Sequence, residues 1–396
     1  MTNRRRRRKG LRGGCELAIT GAAEDGGTGM KRRDVLAALA TLAAVPARAD
    51  DPAVPVGLVA ILSGPNAAYG SAIRAGAELA LAAVNARGPR IALIVEDSAG
   101  TKDGAINAAR KLIGRDKVAA IIGPTLSNEM FAMGPVTNGR GIPTIGTSTT
   151  ATGITDIGPF IFRTALPEAD VIPVTMQKAV ARGVKTIALM YADDDAFSKS
   201  GFDVMQAAAG AAGLHILARE SFGSKDTDFS AQLTKIKALQ PDAVGISALV
   251  EPVSGVLLQA RQLGFGPATL FIGGNGANSP KLGQIAGAAA DGLIVGSPWF
   301  IGKPDALNQA FVAAFRTQYG RDPDQFAAQA YDTMFILAAA IARAGNADPA
   351  RIRNKLLVTD HVGVMGPFRF NAHRDPASAE GVVVLEMHAG TFRIAG

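Results

Sequence analysis

The chain has very little of the side-chain chemistry that most metal sites need. Its 396 residues include one cysteine, Cys15, and four histidines, at His215, His361, His373 and His388. None of the histidines stands at ligand spacing from another, and none lies near the cysteine or a pair of carboxylates. Metal sites in proteins are built from such clusters. We therefore expect no metal and no other cofactor.

Catalytic and nucleotide-binding motifs are also missing. The turn Gly273-Gly274-Asn275-Gly276 lacks the Lys and Ser or Thr of a phosphate-binding loop, and no Gly-x-Gly-x-x-Gly opens the first helical segment. There is no Gly-x-Ser-x-Gly elbow, and Ser127 and Ser148 have no histidine nearby in the sequence. The run from Asp193 to Asp195 is typical of a solvated turn that leads into a helix. The sequence therefore indicates a binding protein rather than an enzyme.

The N-terminal apolar run is too short to anchor the chain in a membrane. Val35 to Val45 provides about half of the ~20 residues that a spanning helix needs. It follows the basic segment Met30-Lys31-Arg32-Arg33-Asp34 and precedes Ala47-Arg48-Ala49-Asp50, where small residues flank a cleavage point. This order is typical of an export signal. We expect residues 30–49 to be a signal peptide that is cleaved near Ala49-Asp50, which makes the protein periplasmic.

The export route and the true start of the chain stay open. Arg32-Arg33 followed by Asp34 resembles a twin-arginine signal, although Val35 stands where that pattern prefers Phe. Ordinary export of the unfolded chain is an equally open alternative. Residues 1–29 carry the charge run Arg4 to Lys9 in Gly-rich sequence without periodicity, which cannot build a core. We interpret them as a mis-assigned or disordered extension before Met30.

An excess of basic charge is absent once this N-terminal segment is set aside. Residues 1–49 hold 11 of the 41 Lys and Arg and 4 of the 34 Asp and Glu, which leaves 30 of each sign. A neutral chain gives no argument for binding nucleic acid, and we expect none. Cys15 also falls in this segment. The remaining chain therefore has no thiol, which suits an oxidising compartment.

Strands and helices alternate along the rest of the chain. Val54–Ile61 is a short apolar strand, and Tyr69–Asn85 has the apolar spacing of a helix. The alternation restarts after Arg163, and two long helical patterns, Ala306–Tyr319 and Gln325–Ala344, precede three short strands. The strands are continuous apolar runs, as in parallel sheets that are buried on both faces. We predict an α/β protein with two doubly wound parallel-sheet lobes, joined without a loose linker around a hinge and a cleft.

Two hydroxyl-rich loops follow strands of the first lobe. Ile122–Asn128 runs into a helix with Ser127 or Asn128 as its N-cap. Ile145–Thr152 contains a row of hydroxyls, at Thr147, Ser148, Thr149 and Thr150. Ligands of parallel α/β sheets bind at the carboxyl ends of strands, where hydroxyls and free N–H groups suit a carboxylate. Capping and turn formation explain the same residues equally well.

Seven stretches, taken in order, carry a family resemblance over the whole mature chain. They are Leu62–Pro65 with Tyr69-Gly70, Ala119–Pro124, Phe162–Thr164, Asp226–Ser230 with Leu233–Lys237, Pro241–Val244, Ala330–Asp332 and Gly366–Phe370. Together they resemble the periplasmic branched-chain amino-acid binding proteins, the type I solute receptors of ABC importers. The resemblance implies two lobes joined by three crossovers, with the ligand between them. Here the lobes would comprise residues 54–165 with 301–362, and 166–298 with 365–396.

The resemblance also implies site residues in the first lobe. Ser127 and Thr150 match the hydroxyls that hold the ligand carboxylate in the family. Main-chain groups around Ser148 and Thr149 would assist them. Tyr69, which follows the Ser-Gly-Pro turn, matches the aromatic residue that packs on the ligand side chain.

Three positions of the second lobe depart from the family pattern. Phe197 keeps the ring of a usual tyrosine, and Leu249 replaces another. Asn275 stands where the family places the acid that binds the ligand ammonium, and a buried ammonium without an anion is costly. Glu251 is an alternative acid, and Trp299 is a further candidate for the pocket wall. Unless Glu251 supplies the charge, the expected ligand is a small apolar or aromatic carboxylate, or an amide.

Two roles fit these features. The first is the extracytoplasmic binding component of an ABC importer, which encloses an amino acid or related small carboxylate by hinge closure. As a monomer, it would present this closed form to a permease in the inner membrane. The second is an exported sensor that presents its bound state to a membrane receptor, since it too needs only ligand-driven closure.

Overall fold

The computed structural model describes residues 52–396, so the predicted N-terminal extension and signal peptide lie outside it. Its first sheet contains β1 (Val54–Ala60), β2 (Ile91–Asp97), β3 (Ala120–Ile122), β4 (Thr144–Gly146) and β5 (Ile161–Arg163). The strands are all parallel and lie in the order β2-β1-β3-β4-β5. The three shortest strands, β3, β4 and β5, are fully buried, as is typical of strands inside a parallel sheet.

Helices connect the strands of this sheet. They are α1 (Ala67–Arg87), α2 (Lys102–Gly114) and α3 (Ser127–Gly139). Thr101 starts α2, because its hydroxyl accepts a hydrogen bond from the N–H of Gly104 at 3.0 Å. Helix α3 starts directly after the β3 loop, so its first turn lies at the carboxyl edge of the sheet.

The second sheet is larger and mixed. Its parallel strands are β6 (Thr186–Ala192), β7 (His215–Phe222), β8 (Ala243–Ser247), β9 (Leu270–Gly273) and β10 (Ile294–Ser297). A separate hairpin is formed by β11 (His361–Gly363) and β12 (Gly366–Phe368). The C-terminal strands β13 (Val383–His388) and β14 (Thr391–Ile394) then complete a sheet of order β14-β13-β10-β9-β8-β6-β7. These last two strands are antiparallel, because only two residues connect them.

Further helices within residues 52–396 pack around the two sheets. In the second lobe they are α4 (Glu168–Ala181), α5 (Ala196–Ala211), α6 (Ser230–Leu239), α7 (Val250–Gln262) and α8 (Pro280–Ala286). They are followed by α9 (Ala306–Tyr319), α10 (Gln325–Ala344) and α11 (Pro349–Leu356). Helix α11 was not expected from the sequence; it begins where the Asp348 carboxylate accepts a hydrogen bond from the N–H of Arg351 at 2.7 Å.

The long helix α10 returns the chain to the first lobe and packs along α1. The two helices come so close at Gly76 that an added Cβ would lie 2.0 Å from the carbonyl oxygen of Ala327. The β11–β12 turn is held by the same helix, since the Asp332 carboxylate accepts hydrogen bonds from the N–H groups of Val364 and Met365 at 3.0 and 2.8 Å. The predicted architecture of two α/β lobes with mostly parallel sheets is confirmed.

Across residues 52–396, we find no helix with the length and apolarity that a bilayer crossing requires.

Candidate ligand-binding site

Two loops of the first lobe meet at the carboxyl ends of β3 and β4. The hydroxyl of Ser148, in the loop after β4, donates to the carbonyl oxygen of Thr125, in the loop after β3, at 2.6 Å. In return, the N–H of Ala151 donates to the hydroxyl oxygen of Ser127 at 3.3 Å. The loops therefore hold each other at the first turn of α3. Main-chain N–H groups and the helix dipole make such a position favourable for an anion.

Tyr69 reaches from α1 of the first lobe to the second lobe. Its hydroxyl donates to the carbonyl oxygen of Gly276 at 2.6 Å and accepts from the N–H of Val250 at 2.9 Å. Its ring packs edge-to-face on Phe326, with 5.0 Å between the centroids. Burial, and secondarily the charge of Glu251, raises the pKa of Tyr69 well above its ordinary value. The hydroxyl therefore stays protonated and can make both bonds between the lobes.

The second lobe contributes three side chains to the same place. Phe197 lies in the first turn of α5, Leu249 directly precedes α7, and Asn275 lies in a short 3-10 turn after β9. Each follows the carboxyl end of a strand, β6, β8 and β9 respectively, which is where parallel sheets place ligands.

These residues enclose one cavity between the lobes, which we call the interlobe cavity. Its wall is formed by Tyr69, Thr125, Leu126, Ser127, Ser148, Phe197, Leu249, Asn275, Gly276 and Phe326. In this arrangement of the lobes its free volume is about 20 Å³, which is room for about one water molecule, whereas small-molecule sites start at about 300 Å³. The lobes must therefore lie further apart to admit a small ligand. The wall combines hydroxyls at one end with aromatic and aliphatic groups, which suits a small ligand with one polar group.

Thr149 and Thr150 lie behind this wall rather than in it. Both are buried, and neither hydroxyl has a hydrogen-bond partner within the described part of the chain. The carbonyl oxygen of Thr150 accepts a hydrogen bond from the N–H of Glu168 at 3.2 Å. Among the candidate hydroxyls of the first lobe, the structure thus brings Ser127 and Ser148 to the cavity and keeps the two threonines in a supporting layer.

Asn275 is fixed by two neighbours. Its N–H donates to Oε1 of Glu168 at 3.0 Å, and its Oδ1 accepts from Nε2 of Gln325 at 2.8 Å. The same Nε2 also donates to the carbonyl oxygen of Asn278 at 3.4 Å, so both contacts of this nitrogen are acceptors. This pattern assigns the orientation of both amides. The Oδ1 of Asn275 is therefore occupied, and its Nδ2 has no partner among residues 52–396.

Glu251 and Trp299 do not form part of the cavity wall. Glu251 is half-buried in the first turn of α7, where burial raises its pKa. Trp299 lies between β10 and α9, where its indole N–H donates to Oδ1 of Asn308 at 2.7 Å and its ring packs on Phe311. It lines a different cavity of about 180 Å³, together with Asn278 and other residues. The structure therefore does not bring Trp299 to the proposed ligand.

Sequence reasoning missed several residues around the site. Phe326 lines the cavity, while Gln325 and Glu168 both bond to Asn275. The start of α10 at Gln325 can be recognised from Asp324, whose side chain accepts from the N–H of Ala327 at 3.0 Å. No sequence signal indicates that this helix start, or Glu168, faces the cleft.

Further contacts hold the lobes together beside the cavity. The side chain of Asn128 accepts from the N–H of Ala196 at 2.8 Å and donates to the Asp195 carboxylate. The N–H of Thr152 donates to the hydroxyl of Ser200 at 2.8 Å. Asp195 also caps α5. These bonds, together with Tyr69, describe a closed arrangement of the lobes. Among the described residues, no cluster of three or more His, Cys, Asp or Glu side chains could hold a metal ion.

Comparisons with known proteins agree with this geometry. The family model described as periplasmic binding protein matches residues 53–387. The leucine-, isoleucine-, valine-, threonine- and alanine-binding protein of Pseudomonas aeruginosa is 28% identical over 348 residues, which cover 86% of this chain and 91% of that protein.

Solved structures show the same fold. The leucine-binding protein LivK of Thermotoga maritima has a TM-score of 0.82 at 25% identity, covering 87% of this chain and 98% of its own. A solute-binding protein of an ABC transporter from R. palustris, in complex with benzoate, has a TM-score of 0.79 at 23% identity, covering 87% and 96%. These are solute-binding proteins, not enzymes. The chain belongs to the periplasmic binding protein family.

Proposed function

We propose that the protein is the receptor of an ABC importer and encloses a small carboxylate in the interlobe cavity by hinge closure. The observation that carries this proposal is Tyr69, which lines the cavity and whose hydroxyl bonds to Gly276 and Val250 of the other lobe. A ligand bound between the lobes would hold them near the arrangement in which these bonds form. The closed surface is then available for recognition by an inner-membrane permease.

The carboxylate end of the ligand is assigned to the first lobe. Ser127 and Ser148 line the cavity there, at the first turn of a helix. A carboxylate at this position would accept hydrogen bonds from hydroxyl and main-chain donors, which are stronger than bonds between neutral groups. Thr149 and Thr150 would support this end from behind, by holding the shape of the loop.

The opposite end favours a ligand without an ammonium group. Tyr69, Phe197, Leu249 and Phe326 provide an apolar wall there, and Asn275 offers an amide whose oxygen is already bonded to Gln325. Among the described residues, no carboxylate side chain lines the cavity. The P. aeruginosa relative is named for five amino acids, and the R. palustris neighbour holds benzoate. We infer that this chain prefers an apolar or aromatic carboxylate of the benzoate type.

We also propose that the protein is exported and acts as a monomer. The family is that of periplasmic binding proteins, and the predicted signal at residues 30–49 would deliver the chain to that compartment. The sensor alternative has no support among the relatives and neighbours, which are amino-acid-binding proteins and ABC-transporter receptors.

A thermal unfolding screen tests the proposed ligand class. The mature chain would be mixed with leucine, valine, benzoate or benzamide. A ligand at 100 times its Kd stabilises the folded state by about 2.7 kcal/mol. We expect benzoate to raise the melting temperature and leucine to leave it nearly unchanged. A shift with leucine and none with benzoate would contradict the assigned preference, and no shift with any small carboxylate or amino acid would contradict the function itself.

The carboxylate end can be tested with one hydroxyl. Ser127→Ala should weaken benzoate binding about tenfold, because a hydrogen bond to a charged group contributes about 1.5–3 kcal/mol. Calorimetric titration would measure the change. Thr137→Ala is the matched control. The hydroxyl of Thr137 is buried near the far end of the same helix and donates to the carbonyl oxygen of Gly134. Equal affinities of the two variants would exclude Ser127 from the ligand contact.

A further inference from the structure

Glu168 lies where both halves of the interlobe cavity meet. It is the first residue of α4, directly after the crossover from the first sheet to the second. Its main-chain N–H donates to the carbonyl oxygen of Thr150, in the hydroxyl-rich loop of the first lobe, at 3.2 Å. Its Oε1 accepts from the N–H of Asn275, in the second-lobe turn, at 3.0 Å. One residue thus bonds to the main chain of both ligand-facing segments.

Within residues 52–396, no charged side chain bonds to this carboxyl group. It is 1% exposed, and its Oε2 has no hydrogen-bond partner in residues 52–396. It lies against two glycines, Gly201 of α5 and Gly274 of the turn, where an added Cβ would lie 3.8 and 3.4 Å from its side chain. Burial raises the pKa of Glu168 to about 7, opposed only by the bond from Asn275. Both protonation states are therefore populated at neutral pH.

We propose that Glu168 is a positioning residue that fixes the Asn275 turn against the Thr150 loop and links ligand capture to its own protonation. The inference rests on the proposed function for the nature of the ligand. It assigns Glu168 no contact with the ligand, because Glu168 is absent from the cavity wall. Its positioning effect passes through the Asn275 main chain, which keeps its acceptor in both protonation states, whereas the charge of its ionised form acts on the ligand through space.

The direction of the pH dependence of binding follows from the charges of the ligand and of Glu168. An anionic ligand enters a poorly solvated cavity whose wall includes Asn275, and the main-chain N–H of Asn275 bonds to the buried Glu168 carboxyl. The ionised form repels the ligand, so binding favours the protonated form and takes up a proton. Affinity for benzoate should therefore fall as the pH rises through about 7. A ligand whose ammonium lies near Asn275 would show the opposite slope.

Substitutions can distinguish the positioning role of Glu168 from the effect of its charge. Glu168→Gln keeps an oxygen acceptor for the Asn275 N–H and removes the ionisable group. Glu168→Leu removes both the acceptor and the ionisable group. Asp170→Asn is the matched control, because it removes an exposed carboxylate two residues away on the same helix. Benzoate affinity would be measured by calorimetry between pH 6 and 9 for the wild type and all three variants.

The expected result is a three- to tenfold loss of wild-type affinity between pH 6.5 and 8.5, with the same loss in Asp170→Asn. Glu168→Gln should bind with an affinity that does not change over this range, and Glu168→Leu should bind at least tenfold more weakly than Glu168→Gln at each pH. A pH dependence in Glu168→Gln equal to that of the wild type would overturn the linkage. Wild-type affinity in Glu168→Leu would overturn the positioning role.

A measurement without ligand keeps this inference separate from the proposed function. Hydrogen exchange at the Asn275 amide should accelerate in Glu168→Leu and stay slow in Glu168→Gln, because only the first variant lacks the acceptor. If no probe binds the wild type, the proposed function and the linkage both fail. The exchange rates then still decide the positioning role, and an unchanged rate in Glu168→Leu would refute it. Thermal unfolding of each variant would confirm that it is folded.

Discussion

Tyr69→Phe should weaken ligand binding by about 10- to 100-fold while leaving each lobe folded. The Tyr69 hydroxyl bonds to the carbonyl of Gly276 and the N–H of Val250, and both bonds join the two lobes. In the closed form, the phenylalanine variant leaves both main-chain groups buried without this partner. A buried unpaired group costs about 1–3 kcal/mol, and about 1.4 kcal/mol corresponds to a factor of ten in Kd.

This free-energy cost arises only when the lobes close, because in the open form the same main-chain groups can bond to water. Calorimetric titration with benzoate would measure the loss of affinity, and thermal unfolding without ligand would report on the fold. Tyr331→Phe is the matched control. Tyr331 is also buried, packs on Phe311 and Phe335, and its hydroxyl has no hydrogen-bond partner in the described residues. Wild-type affinity in Tyr69→Phe would show that this hydroxyl does not hold the lobes closed.

Asn275→Asp should convert the preference of the cavity from benzoate to leucine. The aspartate keeps an oxygen for the bond from Gln325 and adds the negative charge that an α-ammonium group needs. Hydrogen bonds to charged groups contribute about 1.5–3 kcal/mol, so leucine affinity should rise by at least about tenfold. The same charge should repel benzoate and lower its affinity by a similar factor. The ratio of the two affinities would then change by about 100-fold or more.

The control for this exchange is Asn278→Asp. Asn278 is as buried as Asn275 and its carbonyl bonds to the same Gln325 nitrogen, yet it lines the separate cavity beside Trp299. Asn278→Asp introduces the same negative charge outside the interlobe cavity, so it should leave the ratio of leucine to benzoate affinity unchanged. Competition binding between leucine and benzoate would measure both variants. If Asn275→Asp gains no leucine affinity, position 275 does not select against the ammonium group.

The α/β architecture could be predicted from the sequence because its signals are local. The apolar runs of β3 and β4 need no alternation, since both faces of a parallel strand are buried. The order of strands and helices then limits the connections to doubly wound lobes. The C-terminal pair β13 and β14 departs from this pattern, because a two-residue connection requires antiparallel neighbours.

The candidate site was predictable only in part. Ser127 and Ser148 follow buried strands, so their place at the carboxyl edge of the sheet follows from the chain order. Phe197, Leu249 and Asn275 could be located through the family resemblance, and the structure brings all three to the same cavity. Trp299 was a further candidate for the pocket wall, but its indole N–H bonds to Asn308 away from the cavity.

The sequence by itself determined the elements, the two-lobe organisation and the hydroxyl-bearing end of the cavity, because burial and backbone hydrogen bonding leave local patterns. Tertiary structure alone decided which groups meet across the cleft. Tyr69 bonds to residues 207 and 181 positions away, and Glu168 bonds to Asn275 over 107 positions. Such partners depend on how two separately formed lobes come together, and no local pattern of apolar or polar residues records that arrangement.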